Sequence, residues 1–188
     1  FFSNSSMLIS SGIGPAITLK ALKILKDKAD FTVIGDGLVL AKAAKLLKID
    51  LEPVKLIDLN NVEEKNFKFG SLNARNGAAC LEYLDTAWEL LKNNKIDCLV
   101  TCPISKEAVN LAGFKFSGHT EYLAKQTGCQ DAVMMLINDK LKFSLLTRHI
   151  RLRDVSRALT RELLENNIFG IHQADENAQE KSFQTRSI

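Results

Sequence analysis

Short apolar runs alternate with stretches of helical period along this chain, and that alternation narrows its fold more than any other feature. Phe31-Thr32-Val33-Ile34 is a compact apolar run closed by Gly35-Asp36-Gly37. Leu38 to Leu47 then returns to helical spacing in good helix formers, so the segment reads as strand, turn, helix. Ahead of it, Pro15 to Lys28 places Ile17, Ala21, Leu22, Ile24 and Leu25 on one broad stripe. Pro15 stands at a helix-opening position, where its missing N–H costs nothing. Pro53 to Leu59 is a weaker strand candidate, and Asn60 to Ser71 is a polar loop interrupted by Phe67 and Phe69.

From Asn73 to Lys95 the apolar set Ala78, Leu81, Leu84, Trp88 and Leu91 predicts the longest helix, with Trp88 in the core. Ile96 to Val100 follows as a strand, Thr101-Cys102-Pro103 ends it, and Ser105 to Leu111 is a short helix. Gly118 to Gly128 predicts another helix. Ala132 to Ile137 and Lys142 to Thr147 flank Asn138-Asp139 as a hairpin, and the last helix runs from about Asp154 to Asn166. Repeated strand and helix in this order is the pattern of a layered α/β domain with a mainly parallel sheet under helices. The domain is expected over 7–170. Phe1 to Ser6, ahead of Met7, reads as an extension or scar, and Ile171 to Ile188, polar and without periodicity, as disordered or foreign to the domain.

Composition excludes several classes. At 188 residues, 46% hydrophobic and 25% charged, the chain has enough apolar residues for a core and is neither collagen-like nor disordered. A net charge of +3 without a basic run does not mark a nucleic-acid binder. No segment approaches the roughly 18 apolar residues of a membrane helix. Cys80, Cys98, Cys102 and Cys129 form no paired ligand motif and suit a reducing compartment, so a cytoplasmic location is expected.

Three clusters stand at the starts or ends of elements. Ser11-Gly12-Ile13-Gly14-Pro15 precedes a helix, where free amides suit an anion, although a simple tight turn is the default reading. It lacks the third glycine of a dinucleotide fingerprint and the Lys-Ser/Thr of a P-loop. Thr101 to Lys106 delivers a lysine and two hydroxyls to the carboxyl end of a strand, where α/β folds bind ligands. Lys106 there is either a cation for a substrate anion, a proton acceptor if desolvated, or a solvated surface lysine. Gly118-His119-Thr120-Glu121 opens a helix and His149 follows a strand, and two histidines at element ends suit a shared site in a chain with only three. His172 reads as incidental.

The run Val100-Thr101-Cys102-Pro103-Ile104-Ser105-Lys106-Glu107-Ala108, then Ala112-Gly113, Phe116 and Gly118-His119-Thr120-Glu121-Tyr122-Leu123-Ala124, resembles the 4-hydroxythreonine-4-phosphate dehydrogenase family of vitamin B6 biosynthesis. His149-Ile150-Arg151-Leu152-Arg153-Asp154-Val155 and Ile13-Gly14-Pro15 extend the likeness to about Met7–Ile171. The resemblance implies an isocitrate/isopropylmalate-dehydrogenase-like α/β fold and a homodimer with sites at the interface. It also implies NAD and a divalent metal, which would be zinc, magnesium or cobalt. Family members oxidise the secondary alcohol of 4-phosphohydroxy-L-threonine to a 3-oxo acid, which then loses carbon dioxide to give 3-amino-2-oxopropyl phosphate. A 4-phosphorylated threonate or erythronate is the alternative substrate. Carried over by motif, His119 and Thr120 bind substrate, His149 is a metal ligand and Lys106 is a catalytic candidate near the substrate.

The opening loop differs from the family's, since Ile9-Ser10-Ser11-Gly12-Ile13-Gly14-Pro15-Ala16 lacks the usual Gly-Asp-Pro and has Ala where the family has Glu. The family chain is longer, and its later half supplies two further metal-binding histidines, so the match corresponds to an N-terminal portion. The resemblance therefore leaves two expectations: a dehydrogenase acting on a phosphorylated small molecule, or a non-catalytic fragment that serves as an association module.

Overall fold

The computed structural model of the protein describes residues 4–8, 12–50, 55–115, 118–129, 132–138, 140–148 and 150–184. The chain divides into two compact units, Phe1–Gly118 and His119–Ile188. In the first, strands β1 (Asn4–Leu8), β2 (Asp30–Gly35), β3 (Lys55–Asp58) and β4 (Cys98–Val100) form one sheet in the order β3-β2-β1-β4. Every pairing is parallel, with Ser6 opposite Thr32 and Leu99, and Val33 opposite Leu56. Helices α1 (Gly14–Leu25), α2 (Gly37–Leu47), α3 (Ala74–Lys92) and α4 (Lys106–Leu111) make up the rest of this unit. The α/β architecture with a parallel sheet is the one expected from the alternation.

The sequence explains the first crossover locally. Asp36 ends β2 in extended backbone and caps α2: its Oδ1 accepts the N–H groups of Leu38 at 2.9 Å and Val39 at 3.4 Å. Its Oδ2 accepts the N–H of Val62 at 2.9 Å, from the loop after β3. Asp58 repeats the device one strand over, accepting from Gly37 and Asn60, each at 3.0 Å. A Cβ on Gly37 would stand 2.5 Å from Asp58 Oδ2, so a larger residue there would have to displace the Asp58 carboxylate. Lys48 closes α2 in the left-handed region and returns its N–H to the Ala44 and Lys45 carbonyls.

Val33 and Ile34 are both fully buried, so the sheet is covered on both faces. On one side Leu19, Val33, Val39, Leu40, Ala43, Ala44 and Phe67 form the core, with Phe69 packed against them. The phenylalanines that interrupt the polar loop thus plug the core, edge to face at 4.8 Å. Helix α3 packs against β1, β2 and β4. Its buried face is Asn76, Gly77, Ala79, Cys80, Leu81, Tyr83, Leu84 and Ala87, while Trp88 is only half-buried. The expected stripe is therefore rotated: the small residues Gly77 and Ala79 turn inward because α4 approaches closely, and the indole is displaced to the margin.

The second unit holds α5 (His119–Thr127), the antiparallel pair β5 (Met134–Ile137) and β6 (Lys142–Leu145), α6 (Val155–Ala158) and α7 (Arg161–Gln184). The hairpin turn forms as expected around Asn138, whose Oδ1 accepts from the Lys140 and Leu141 amides. The hydroxyl of Ser144 on β6 and the Asn167 side chain on α7 hydrogen-bond.

Three expectations are corrected. Asn4 to Leu8, of which Asn4 to Ser6 fell in the supposed extension, form a strand with neighbours on both sides. The last helix is broken at Leu159-Thr160, because Thr160 caps a new helix by accepting the Leu163 N–H at 3.1 Å. That helix then continues through 171–184, where a disordered segment was expected, since Ala174, Glu176, Ala178, Gln179, Glu180 and Lys181 are strong helix formers. Residues 51–54, at the start of the expected third strand, lie outside the described ones. Among the described residues no helix is long and apolar enough to cross a membrane.

A Cβ on Gly77 would fall 2.1 Å from the Ala108 carbonyl oxygen and 2.6 Å from the Val109 nitrogen. Glycine-to-alanine changes inside helices normally stabilise by up to about 1 kcal/mol. Gly77→Ala is expected to do the opposite and lower the unfolding free energy by about 1–3 kcal/mol in urea titrations, because α3 and α4 must separate.

Candidate functional site

In the first unit, the candidate site lies beyond the carboxyl end of β4. Cys102 is buried there, its Sγ 3.4 Å from Thr18 Oγ1 and 3.7 Å from the Gly14 carbonyl oxygen. This pins the end of the strand to the first turn of α1, and Gly14 and Pro15 are themselves buried at that contact. Three residues after Cys102, Ser105 caps α4, its Oγ accepting the Ala108 N–H at 3.2 Å. Lys106 follows in the first turn, exposed to solvent. The strand-to-helix delivery of lysine and hydroxyl expected from the sequence is present.

In the second unit, His119 and Thr120 are the first two residues of α5, both half-buried. Glu121 follows in the same turn, complementing the positive end of the helix. Tyr122 is half-buried too, and its hydroxyl accepts from Gln126 Nε2 at 2.9 Å. His119 and Thr120 are therefore brought together on one turn, whereas Lys106 belongs to the other unit and His149 lies outside the described residues. His172 stands on the surface of α7, its Nε2 3.5 Å from Glu176 one turn on.

Among the described residues, no group of three or more His, Cys, Asp or Glu side chains stands where it could hold a metal ion. The described residues thus do not by themselves make up a metal site. Among the described residues, the buried polar atoms Thr32 Oγ1, Asn76 Nδ2 and Arg148 Nη1 lack a hydrogen-bond partner. The arginine was missed in the sequence because the basic residues after β6 are spaced rather than contiguous: Arg148, Arg151, Arg153, Arg157 and Arg161.

Burial keeps two acidic groups of α3 neutral. It pushes the Cys80 thiol up to about 12, and it raises the Tyr83 phenol with help from the nearby Asp36 carboxylate. Tyr83 donates its proton to Asn61 Oδ1 at 2.8 Å, and Asn61 Nδ2 donates to Glu82 Oε2 at 2.7 Å, so the phenol serves the fold. The Cys102 thiol is also raised by burial, against a smaller opposing effect from the Thr18 hydrogen bond.

Comparison with known proteins adds to this geometry. The family model described as "Pyridoxal phosphate biosynthetic protein PdxA" matches residues 27–184. The 4-hydroxythreonine-4-phosphate dehydrogenase of Sulfurihydrogenibium sp. (strain YO3AOP1) is 35% identical over 169 residues, covering 84% of this chain and 52% of the relative. The D-threonate 4-phosphate dehydrogenase of Cupriavidus necator is 34% identical over 188 residues, covering 90% of this chain and 56% of the relative. A crystal structure of a 4-hydroxythreonine-4-phosphate dehydrogenase from Burkholderia phymatum is similar at a TM-score of 0.81 and 28% identity, over 89% of this chain and 56% of that one. The chain spans about half the length of these curated relatives.

The exposure of the cysteines predicts their chemistry. Cys129 is exposed and should react with an aromatic disulfide reagent in the native protein, while the buried Cys80 and Cys102 should react only after unfolding. Because the Cys80 thiol is raised from its ordinary 9.0 to about 12, its contribution to stability is complete below pH 9 and is lost as pH rises towards 12. Cys80→Ala should flatten that alkaline decline in urea titrations at successive pH values.

Proposed function

Because the chain belongs to the family of the pyridoxal phosphate biosynthetic protein PdxA, we propose that it acts as the substrate-binding portion of an NAD-dependent dehydrogenase for a 4-phosphorylated hydroxy acid. The observation that carries this reading is the pairing of His119 and Thr120 on the first turn of α5, inside the region matched by the family. An imidazole and a hydroxyl on one turn offer donors and acceptors to the oxygens of a polyhydroxy acid. The amides of the same turn favour its negative charge.

Bound NAD would supply the acceptor for the hydride that the secondary alcohol gives up from its C–H bond, while the O–H proton would pass to a base. The resulting 3-oxo acid then releases carbon dioxide, the electron pair of the broken bond passing to the new carbonyl. His119 and Thr120 hold and orient the alcohol within the second unit, and Lys106, in the first unit, is proposed separately as a cation for a substrate anion. Since the described residues do not make up a metal site, no step here is routed through a metal, and His149 as a ligand remains part of the proposal. The relatives are named for two substrates, 4-phosphohydroxy-L-threonine and 4-phospho-D-threonate, which share the carbon-4 phosphate.

We also propose a homodimer. Leu136 on β5 and Phe143 on β6 are directly paired and both more than half exposed, which leaves an apolar patch on the hairpin for a partner. A second reading, in which the chain is a non-catalytic association module, takes the same exposed Leu136 and Phe143 pair as its docking surface.

Turnover decides between the readings. NADH formation is expected on adding either phosphorylated acid with zinc, magnesium or cobalt. His119→Ala and Thr120→Val should each lower kcat/KM by about 10- to 100-fold, the worth of one charge-assisted hydrogen bond. Absence of NADH at high protein concentration, with neither NAD nor metal retained in equilibrium dialysis, would establish the association module instead.

A further inference from the structure

Arg148 follows β6 and is half-buried, with its Nη1 closed to solvent and without a hydrogen-bond partner. The two other buried orphans, Thr32 Oγ1 and Asn76 Nδ2, are neutral groups; this one carries charge. A charged N–H withdrawn from water without an acceptor is costly even in a half-buried side chain, and its usual remedy is an anion held by the planar fork of N–H groups.

The surrounding chain points to the same ligand. Residues 148–161 contain five arginines and a single carboxylate, Asp154. That carboxylate lies 3.9 Å from Arg153, and Arg161 is paired with Glu165 at 2.6 Å. Among the described residues neither Arg148, Arg151 nor Arg157 has an ion-pair partner, and Arg151 and Arg157 are exposed. Arg148 and Arg151 are three residues apart, so their Cα atoms lie within about 11 Å of each other, a span that two long side chains can close around one tetrahedral anion.

We propose that Arg148 is an anion-binding residue of the second unit, that its ligand is the phosphate group of a small phosphorylated molecule, and that Arg151 supplies a second, solvent-exposed charge. This rests on the dehydrogenase reading only for the identity of the molecule: the phosphate would be the one shared by both candidate substrates. Phosphate is favoured over a carboxylate because it can accept from more than one guanidinium at once.

The test uses the whole chain and inorganic phosphate as probe, read by calorimetric titration and by the Arg148 Nε–H resonance in 15N spectra. Phosphate is expected to bind and to move that resonance. Arg148→Gln should weaken binding by tenfold or more, Arg148→Lys by less, and Arg151→Gln by a few-fold, with a shallower dependence on salt. Should Arg148→Gln fail to fold, Arg148→Lys and the wild-type resonance still decide. A wild-type chain that leaves the resonance unmoved, or an Arg148→Lys or Arg148→Gln chain that binds phosphate as wild type does, overturns the proposal. Phosphate binding that needs Arg148 in a chain without turnover upholds this proposal and counts against the dehydrogenase reading alone.

Discussion

The Asp36 carboxylate accepts main-chain N–H groups from two directions, from the first turn of α2 and from Val62 beyond β3, and the layering of the first unit depends on that junction. At 1% exposure the carboxylate has little access to water, and three amides share its two oxygens. Each buried amide left without an acceptor costs about 1–3 kcal/mol. The junction fixes where β2 stops, where α2 begins and how the β3 loop returns, and so places Val33, Val39 and Leu40 against Phe67 and Phe69. The second aspartate, Asp58, secures the same turn by accepting the Gly37 N–H.

Much of this was legible in the sequence because it is local. An apolar run, Gly-Asp-Gly and a helical stripe suffice for β2 and α2, since cap and turn chemistry act within a few residues. Ser105 and Lys106 were legible as the start of α4, and His119 and Thr120 as the start of α5, for the same reason. What escaped depends on distant partners. β1 begins Asn-Ser-Ser, without the continuous apolar character of most central parallel strands, and it is held by ladders to β2 and β4 that no local pattern announces. Trp88 was placed by periodicity alone, but the close approach of Ala108 to Gly77 chooses the buried face of α3. The burial of Arg148 is likewise a tertiary fact, invisible in a run of spaced arginines.

The two units divide the candidate chemistry between them. The first supplies a rigid edge, with Cys102, Thr18 and Gly14 tying the end of β4 to α1 and Lys106 just beyond. The second supplies His119 and Thr120 on one helical turn and the half-buried Arg148 after β6. Family membership is shown by the sequence match, and the proposed substrate class rests on it together with the pairing of His119 and Thr120.

The position of β1 has a consequence for the order of folding. Ser5 pairs with Phe31 on one side and with Cys98 on the other. During synthesis the first of these ladders can close early, but the second must wait until β4 has left the ribosome. Until then β1 is an open edge with unpaired amides and carbonyls, prone to pairing with another chain. Completion of the sheet is thus a late, long-range event, and the nascent chain is most vulnerable to association while α3 is emerging.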